Sequence, residues 1–264
     1  MQKKSISILV AFLALITVSC SGTSTSTSPT ATSTVASSVS PTGQASNVVF
    51  KTPEDAITAY MQGVAQTDTS KILQACAINE MSEKFKFDLY TERLKALMPS
   101  QSPAPANSPF YIEANKAQLT AQVLNRVKIL VYDLLSSEKV DDASAVIVIT
   151  DTARINKFMN DVDPKKLASL KVEKTSPPNK TLMNSTTYQN NATQNALAYG
   201  ADESTERVAL FSFAQNYYYV GFTLLRYGDN WKISSQTSAL ANTNALGAPT
   251  KTTVDEFDRM FTSN

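Results

Sequence analysis

Apolar positions along this 264-residue chain fall into three regimes, and each predicts a different kind of segment. Ile6 to Val18 is an apolar run without charge, preceded by Lys3 and Lys4. Ser21 to Ser46 is almost wholly Ser, Thr, Ala, Val and Pro, again without charge. From Thr52 onward the pattern becomes periodic, as a folded domain requires.

The first periodic segments are helical. Thr52-Pro53-Glu54-Asp55 supplies a capping hydroxyl, a proline at the first helical position and two acids at the positive dipole end. Ala56, Ile57, Tyr60, Met61 and Val64 then recur at helical spacing. Asp68 to Cys76 reads as a second helix and Ser82 to Met98 as a third, stopped by Pro99. Ser100 to Pro109 is a proline-bearing loop, and Glu113 to Asn125 is helical again.

Val127 to Lys139 fits both periods. Val127, Ile129 and Val131 alternate, whereas Val127, Leu130 and Leu134 suit a helix. Because Asp141-Asp142 offers a turn before the β-rich Ala143 to Thr150, the reading favours a strand and a hairpin. Residues 151–203 form a polar insertion, with short helices at Arg154 to Asn160 and Pro164 to Leu170. Pro177 to Tyr199 is a weak helix or a loop.

Three β runs close the domain: Val208 to Phe213, Tyr217 to Arg226 and Trp231 to Ser235. Gln215-Asn216 separates the first pair, and Tyr227-Gly228-Asp229-Asn230 makes the second turn. The long strand is apolar on both sides. Tyr218, Val220, Phe222 and Leu224 line one face, with Tyr217, Tyr219 and Leu225 on the other. Both faces are thus expected to be covered, one by the N-terminal helices and the other by the insertion or a partner chain. Ser238 to Thr253 is read as loop and Val254 to Phe261 as a terminal helix.

The opening run is about 13 residues, short of the roughly 20 that cross a bilayer as a helix. Lysines, apolar core and the small residues Thr17-Val18-Ser19 before Cys20 have the layout of a secretory signal peptide. The cysteine at the cut site resembles the lipobox of bacterial lipoproteins. That resemblance implies removal of residues 1–19, fatty acylation of Cys20, and a lipid-anchored protein on the extracytoplasmic face of the cell membrane or outer membrane. Residues 20–47 would then be a disordered tether, and 48–264 a single domain.

Composition removes several function classes. The chain holds 24 Lys+Arg against 23 Asp+Glu. This near-neutral balance offers no electrostatic footprint for nucleic acid. There is no histidine, which excludes Ser-His-Asp and Cys-His machinery, a histidine base and histidine-ligated metal. With Cys20 committed to lipid, Cys76 has no partner for an intramolecular disulfide. It reads as a small buried apolar residue, the alternatives being a reactive thiol or an intermolecular bridge. The Asn160-Asp161-Val162-Asp163 cluster lacks the glycine and terminal glutamate of a calcium loop and reads as a turn before Pro164. No cofactor or metal is expected.

Thr52-Pro53-Glu54-Asp55-Ala56 with Tyr60, followed at the far end by Val220, Phe222, Leu224, Tyr227-Gly228-Asp229, Trp231 and Ile233, resembles nuclear transport factor 2-like proteins. The resemblance spans about Phe50 to Ser238, apart from the insertion. It implies an α+β fold: N-terminal helices packed on a curved, mainly antiparallel sheet in a cone-shaped roll shared with cystatin-like folds. These motifs are core and turn residues, so they imply a fold and no activity.

Enzymes of that superfamily combine a carboxylate, a histidine and a tyrosine inside the cone. Without histidine, the expectation is a non-enzymatic protein that binds a small apolar ligand or a protein partner, the alternative being a histidine-free isomerase or hydro-lyase. Tyr60, Tyr217, Tyr218 and Tyr219 are the candidate pocket residues, although core packing accounts for them as well. Asp133 is the one carboxylate in the predicted core strands and is expected at a sheet edge or helix surface. Trp231 is expected to anchor the core.

Overall fold

The computed structural model describes residues 48–97, 102–138, 148 and 151–262. The leader, Cys20, the tether, Asp141-Asp142 and nearly all of Ala143 to Thr150 lie outside them. Among the described residues no helix is long and apolar enough to cross a membrane.

Helix α1 spans Pro53–Gln66 and begins where the sequence predicts. Thr52 Oγ1 accepts from the Asp55 amide while Asp55 Oδ2 accepts from the Thr52 amide, a reciprocal capping box. Its inner face buries Ile57, Tyr60, Met61 and Val64. Asp68 caps α2, Thr69–Gln74.

The expected third helix is two short ones, α3 (Ile78–Glu83) and α4 (Phe87–Leu94). The break has a packing cause. Buried Phe85 inserts between Tyr90 and Tyr199, and the Lys86 amide donates to the Ala198 carbonyl instead of continuing a helix.

The largest correction concerns Val127 to Lys139. Val127 to Leu135 is the C-terminal part of α5, Pro109–Leu135, a single 27-residue helix capped by Ser108 with proline at its first position. The strand-like alternation arises because this half is buried on several sides: Ile129, Leu130, Val131 and Asp133 are all inside. A helix wrapped by neighbours carries apolar residues at both periods, so periodicity alone cannot separate the two readings. Asp133 is therefore neither at a sheet edge nor on a helix surface; it is 8% exposed on the core side of α5.

Within the insertion, α6 (Thr152–Asp161) and a 3₁₀ turn (Pro164–Ser169) match the expected short helices. Asp163 caps the turn and Asp161 pairs with Lys157. The segment is not an appendage, however. Lys171–Ser176 forms strand β1 and pairs antiparallel with β2. Helices α7 (Lys180–Met183) and α8 (Thr186–Ala198) follow.

Strands β2 (Glu203–Phe213), β3 (Asn216–Tyr227) and β4 (Asn230–Ser235) form the meander. The first turn lies one residue earlier than expected: Phe213 pairs with Asn216, so Ala214 and Gln215 form the loop, both at positive φ. The second hairpin places Gly228 at φ 61° in its first loop position, where a side chain would be strained. A further strand, β5 (Thr250–Thr252), falls in the stretch that the sequence predicts as loop; it pairs with Tyr217–Tyr219 of β3. Sheet order is β1-β2-β3-β4, all antiparallel, with β5 on the same edge of β3 as β4.

One sheet face packs Phe211, Val220, Phe222, Leu224, Trp231 and Ile233 against α1, α2 and α5. Burying each large apolar side chain there stabilises the fold by about 1.5–3 kcal/mol. The other face is covered from within the chain. Helix α9 (Val254–Phe261) sets Phe257 and Phe261 on Val208, Leu210 and Tyr219, while Leu225 packs with Ala196 of α8. Gly221 marks the closest approach, where the loop at Ser238 lies on β3: a Cβ there would stand 2.6 Å from the Ser238 backbone nitrogen.

Candidate functional site

Residues Leu119, Val123, Arg126, Leu130 and Asp133 recur at three- and four-residue steps along one side of α5. The stripe is otherwise apolar, with an arginine at its centre and a carboxylate two turns further on. What happens at each polar position defines the chemistry available.

At the arginine position a cleft of about 240 Å³ opens between α5 and β4. Helix α5 contributes Gln118, Leu119, Gln122 and Arg126, and β4 contributes Ser234 and Ser235. Tyr90 and Tyr199 stand across from them with Met81. Asn115, 1% exposed, fixes the remaining wall. Its side-chain oxygen accepts from the Ala104 amide and its nitrogen donates to the Ala104 carbonyl, each at 2.8 Å, which clips the proline-bearing loop and Pro103 onto the helix. The hydroxyls of β4 are occupied: Ser234 donates to the Thr223 carbonyl at 3.1 Å and Ser235 bonds Thr237 at 2.7 Å.

Arg126 is held by its stem. The loop at Gly247 closes over it with φ +87°, and a Cβ on that glycine would lie 3.2 Å from Arg126 Cβ. Among the described residues the Arg126 side chain has no hydrogen-bond or ion-pair partner. Partial burial pushes its pKa down, and Tyr60 and Cys76 are the groups whose ionised forms would favour its charge. Beneath it, a void of about 10 Å³ reaches Cys76 and Ile233.

The other polar groups near this end are spent on structure. Tyr60 donates to Gln236 Oε1 at 2.6 Å, and Gln236 Nε2 donates to the Gly247 carbonyl at 2.8 Å. Burial raises the Tyr60 hydroxyl well above its ordinary pKa, with Cys76 adding to the rise. The Cys76 thiol donates to the Ile72 carbonyl at 3.3 Å and is pushed up to about 12 by burial. It is buried, as expected from the sequence, but it lies past the end of α2 and bridges to Ile233 of β4 instead of sitting on a helix. With its proton held, it is a poor thiolate nucleophile.

The four candidate tyrosines do not converge. Tyr60 lies in the core at 1% exposure, edge-on to Phe222. Tyr218 stacks on Phe211 at the opposite end of the stripe, where burial and then Asp133 raise its hydroxyl pKa. Tyr219 lies on the other sheet face under Phe257 and Phe261, and Tyr217 is 37% exposed. The residues that do form the cleft carry no motif in the sequence. Arg126 could have been found only by reading α5 as one helix, because a cation at a core-facing position is otherwise invisible.

Two larger hollows are lined by polar groups most of which are engaged. One of about 360 Å³ lies between α7, α8 and β2, but its Arg207 is already bound by Glu54 at 2.7 Å and by Thr205. In the same hollow Asp202 accepts from the Gly228 amide and Glu203 pairs with Arg226. The other, about 610 Å³, lies between the end of α1 and the 3₁₀ turn, where Gln62 and Gln66 are engaged by Lys71. Among the described residues no group of three or more His, Cys, Asp or Glu could hold a metal ion.

No protein-family model matches this chain, and no curated relative matches it. Among solved structures it is similar to a cystatin-like protein from Ruminococcus gnavus, with a TM-score of 0.52 and 19% identity. The match covers 75% of this chain and 44% of that one, so the chain spans less than half that structure's length. The likeness shows the fold: an α+β roll of the cystatin-like type, with helices on a curved antiparallel sheet.

Proposed function

We propose that this chain is an extracytoplasmic lipoprotein, tethered to a membrane through Cys20, that binds a small molecule in the cleft between α5 and β4 without chemically transforming it. The observation that carries the binding reading is Arg126, a half-buried cation without a counter-ion among the described residues, at the wall of a cleft. A charge desolvated without a partner costs stability, and sites that accept such a cost are enriched in function. Tethering rests on the Lys3-Lys4 to Cys20 pattern.

Binding without catalysis is supported by how the acid–base groups are arranged. The core between the helices and the sheet is packed with Ile57, Met61, Phe222 and Leu224. The Tyr60 hydroxyl is occupied by Gln236, and Asp133 stands two turns of α5 away from Arg126, beside Tyr218. An isomerase-like pair needs a carboxylate and an acidic hydroxyl facing one substrate position; here Asp133 and the cleft occupy separate places.

The test is occupancy. Gln118→Trp would fill the cleft from the α5 side. Wild-type protein purified from its own membranes is expected to release a small molecule on denaturation, and the tryptophan variant to release none. Equal recovery from both proteins, or from neither, would overturn the reading.

A further inference from the structure

The cleft reading deepens if the chemistry around Arg126 is followed, and what comes next rests on that reading. Arg126 is unpaired among the described residues, yet it is not loose. Gly247 closes over its stem with a positive φ, and Gln236 holds that loop by donating to the Gly247 carbonyl at 2.8 Å. The stem of Arg126 is thus fixed at the cleft wall, which lowers part of the entropic cost of engaging a ligand.

The rest of the wall narrows the partner. A guanidinium presents parallel N–H donors that match a carboxylate in bidentate fashion. A phosphate dianion would favour a second cation, but Lys232 is turned away to the Gln74 carbonyl. Leu119, Met81 and the rings of Tyr90 and Tyr199 supply an apolar and aromatic surface beyond the arginine. A space of about 240 Å³ lies just below the roughly 300–1,000 Å³ of ordinary ligand cavities, so the occupant is small. We infer that the α5–β4 cleft is a binding site for a small monocarboxylate with an apolar or aromatic body, its carboxylate on Arg126 and its body against Leu119, Met81 and the two tyrosines.

The experiment titrates isotopically labelled protein with benzoate and hexanoate, and in parallel with benzamide and hexanamide, following backbone amide shifts. At least one carboxylate is expected to move Leu119, Arg126 and Ser234 saturably, with its neutral amide weaker by about tenfold or more, since the charge-assisted bidentate contact is lost. Arg126→Gln is expected to abolish that preference, and Arg126→Lys to retain only part of it. If a neutral amide binds the cleft as well as its carboxylate, or if Arg126→Gln binds undiminished, the carboxylate assignment fails while the cleft remains a binding site. If none of the four probes moves the cleft residues, both readings fail. Should Arg126→Gln not fold, the comparison of acid with amide on the wild-type protein decides alone.

Discussion

The Tyr60 hydroxyl donates to Gln236 Oε1 at 2.6 Å, joining the first helix to the segment just after β4 through a bond buried on both sides. The same glutamine holds Gly247, and Gly247 holds Arg126. A core tyrosine, a glutamine and a glycine at positive φ therefore brace the stem of the one half-buried cation in the cleft. Tyr60→Phe leaves the Gln236 oxygen without its donor. Loss of one partner of a buried hydrogen bond costs about 1–3 kcal/mol, whereas replacing both partners by apolar groups is nearly neutral. Denaturant unfolding should show Tyr60→Phe destabilised by that amount, and Gln236→Leu should not rescue it in the double variant, because leucine also leaves the Gly247 carbonyl without its donor. A neutral Tyr60→Phe would mean the bond holds nothing.

Gly221 makes a second local prediction. Any Cβ there would meet the Ser238 backbone and Thr243 Oγ1 at 2.6 Å. Gly221→Val would push the 238–243 loop from the sheet, separating Glu206 from the Ser238 hydroxyl and the Leu240 amide that it now accepts from. Overpacking at such a contact costs about 1–3 kcal/mol. The midpoint of chemical unfolding should fall accordingly; an unchanged midpoint would place the loop elsewhere.

Alkaline pH should weaken the fold through its buried weak acids. The Cys76 thiol is raised from an ordinary value near 9 to about 12, and Tyr60, Tyr188, Tyr199 and Tyr227 are raised as well, burial being the first cause in each. Groups with raised folded-state pKa values leave stability intact below the unfolded pKa. Above it the unfolded chain releases the proton first, and stability falls by up to about 1.4 kcal/mol per pH unit for each group. Urea unfolding at pH 8, 9.5 and 10.5 should show stability declining from about pH 9. In Cys76→Ala the decline should begin about one unit higher, where the tyrosines start. A flat profile to pH 10.5 contradicts the burial of these groups.

Tethering has its own test. Cys20→Ser removes the acylation site, and the protein should move from the membrane pellet to the soluble fraction. Several acyl chains anchor far better than one, because each buried CH₂ contributes about 0.8 kcal/mol. A serine variant that still pellets with membranes would refute lipid anchoring at this residue.

How far the sequence could be read follows from the physics of each segment. Helix α1 was legible because capping, proline placement and helical spacing agreed. Strands β2, β3 and β4 were legible because β-rich runs ended at turn residues such as Gly228. Strand β1 was hidden because it is an edge strand: Lys171-Val172-Glu173-Lys174 presents polar residues and resembles a loop. Three-residue β5 is too short to show a period. The error at α5 had the greatest consequence for the site. Reading Val127–Lys139 as a strand cut the helix next to Arg126 and dissolved the stripe from Leu119 to Asp133. The tyrosines, by contrast, were visible but spread through core, edge and opposite sheet face, since aromatic content marks packing before it marks a pocket.

The most direct single measurement is native mass spectrometry of the protein released gently from its own membranes. The account predicts a chain that begins at Cys20, carries fatty acyl groups there, and holds one small non-covalent molecule that is lost on activation. A chain still carrying its leader, an unmodified Cys20 sulfur, or a bare protein without a bound molecule would contradict it.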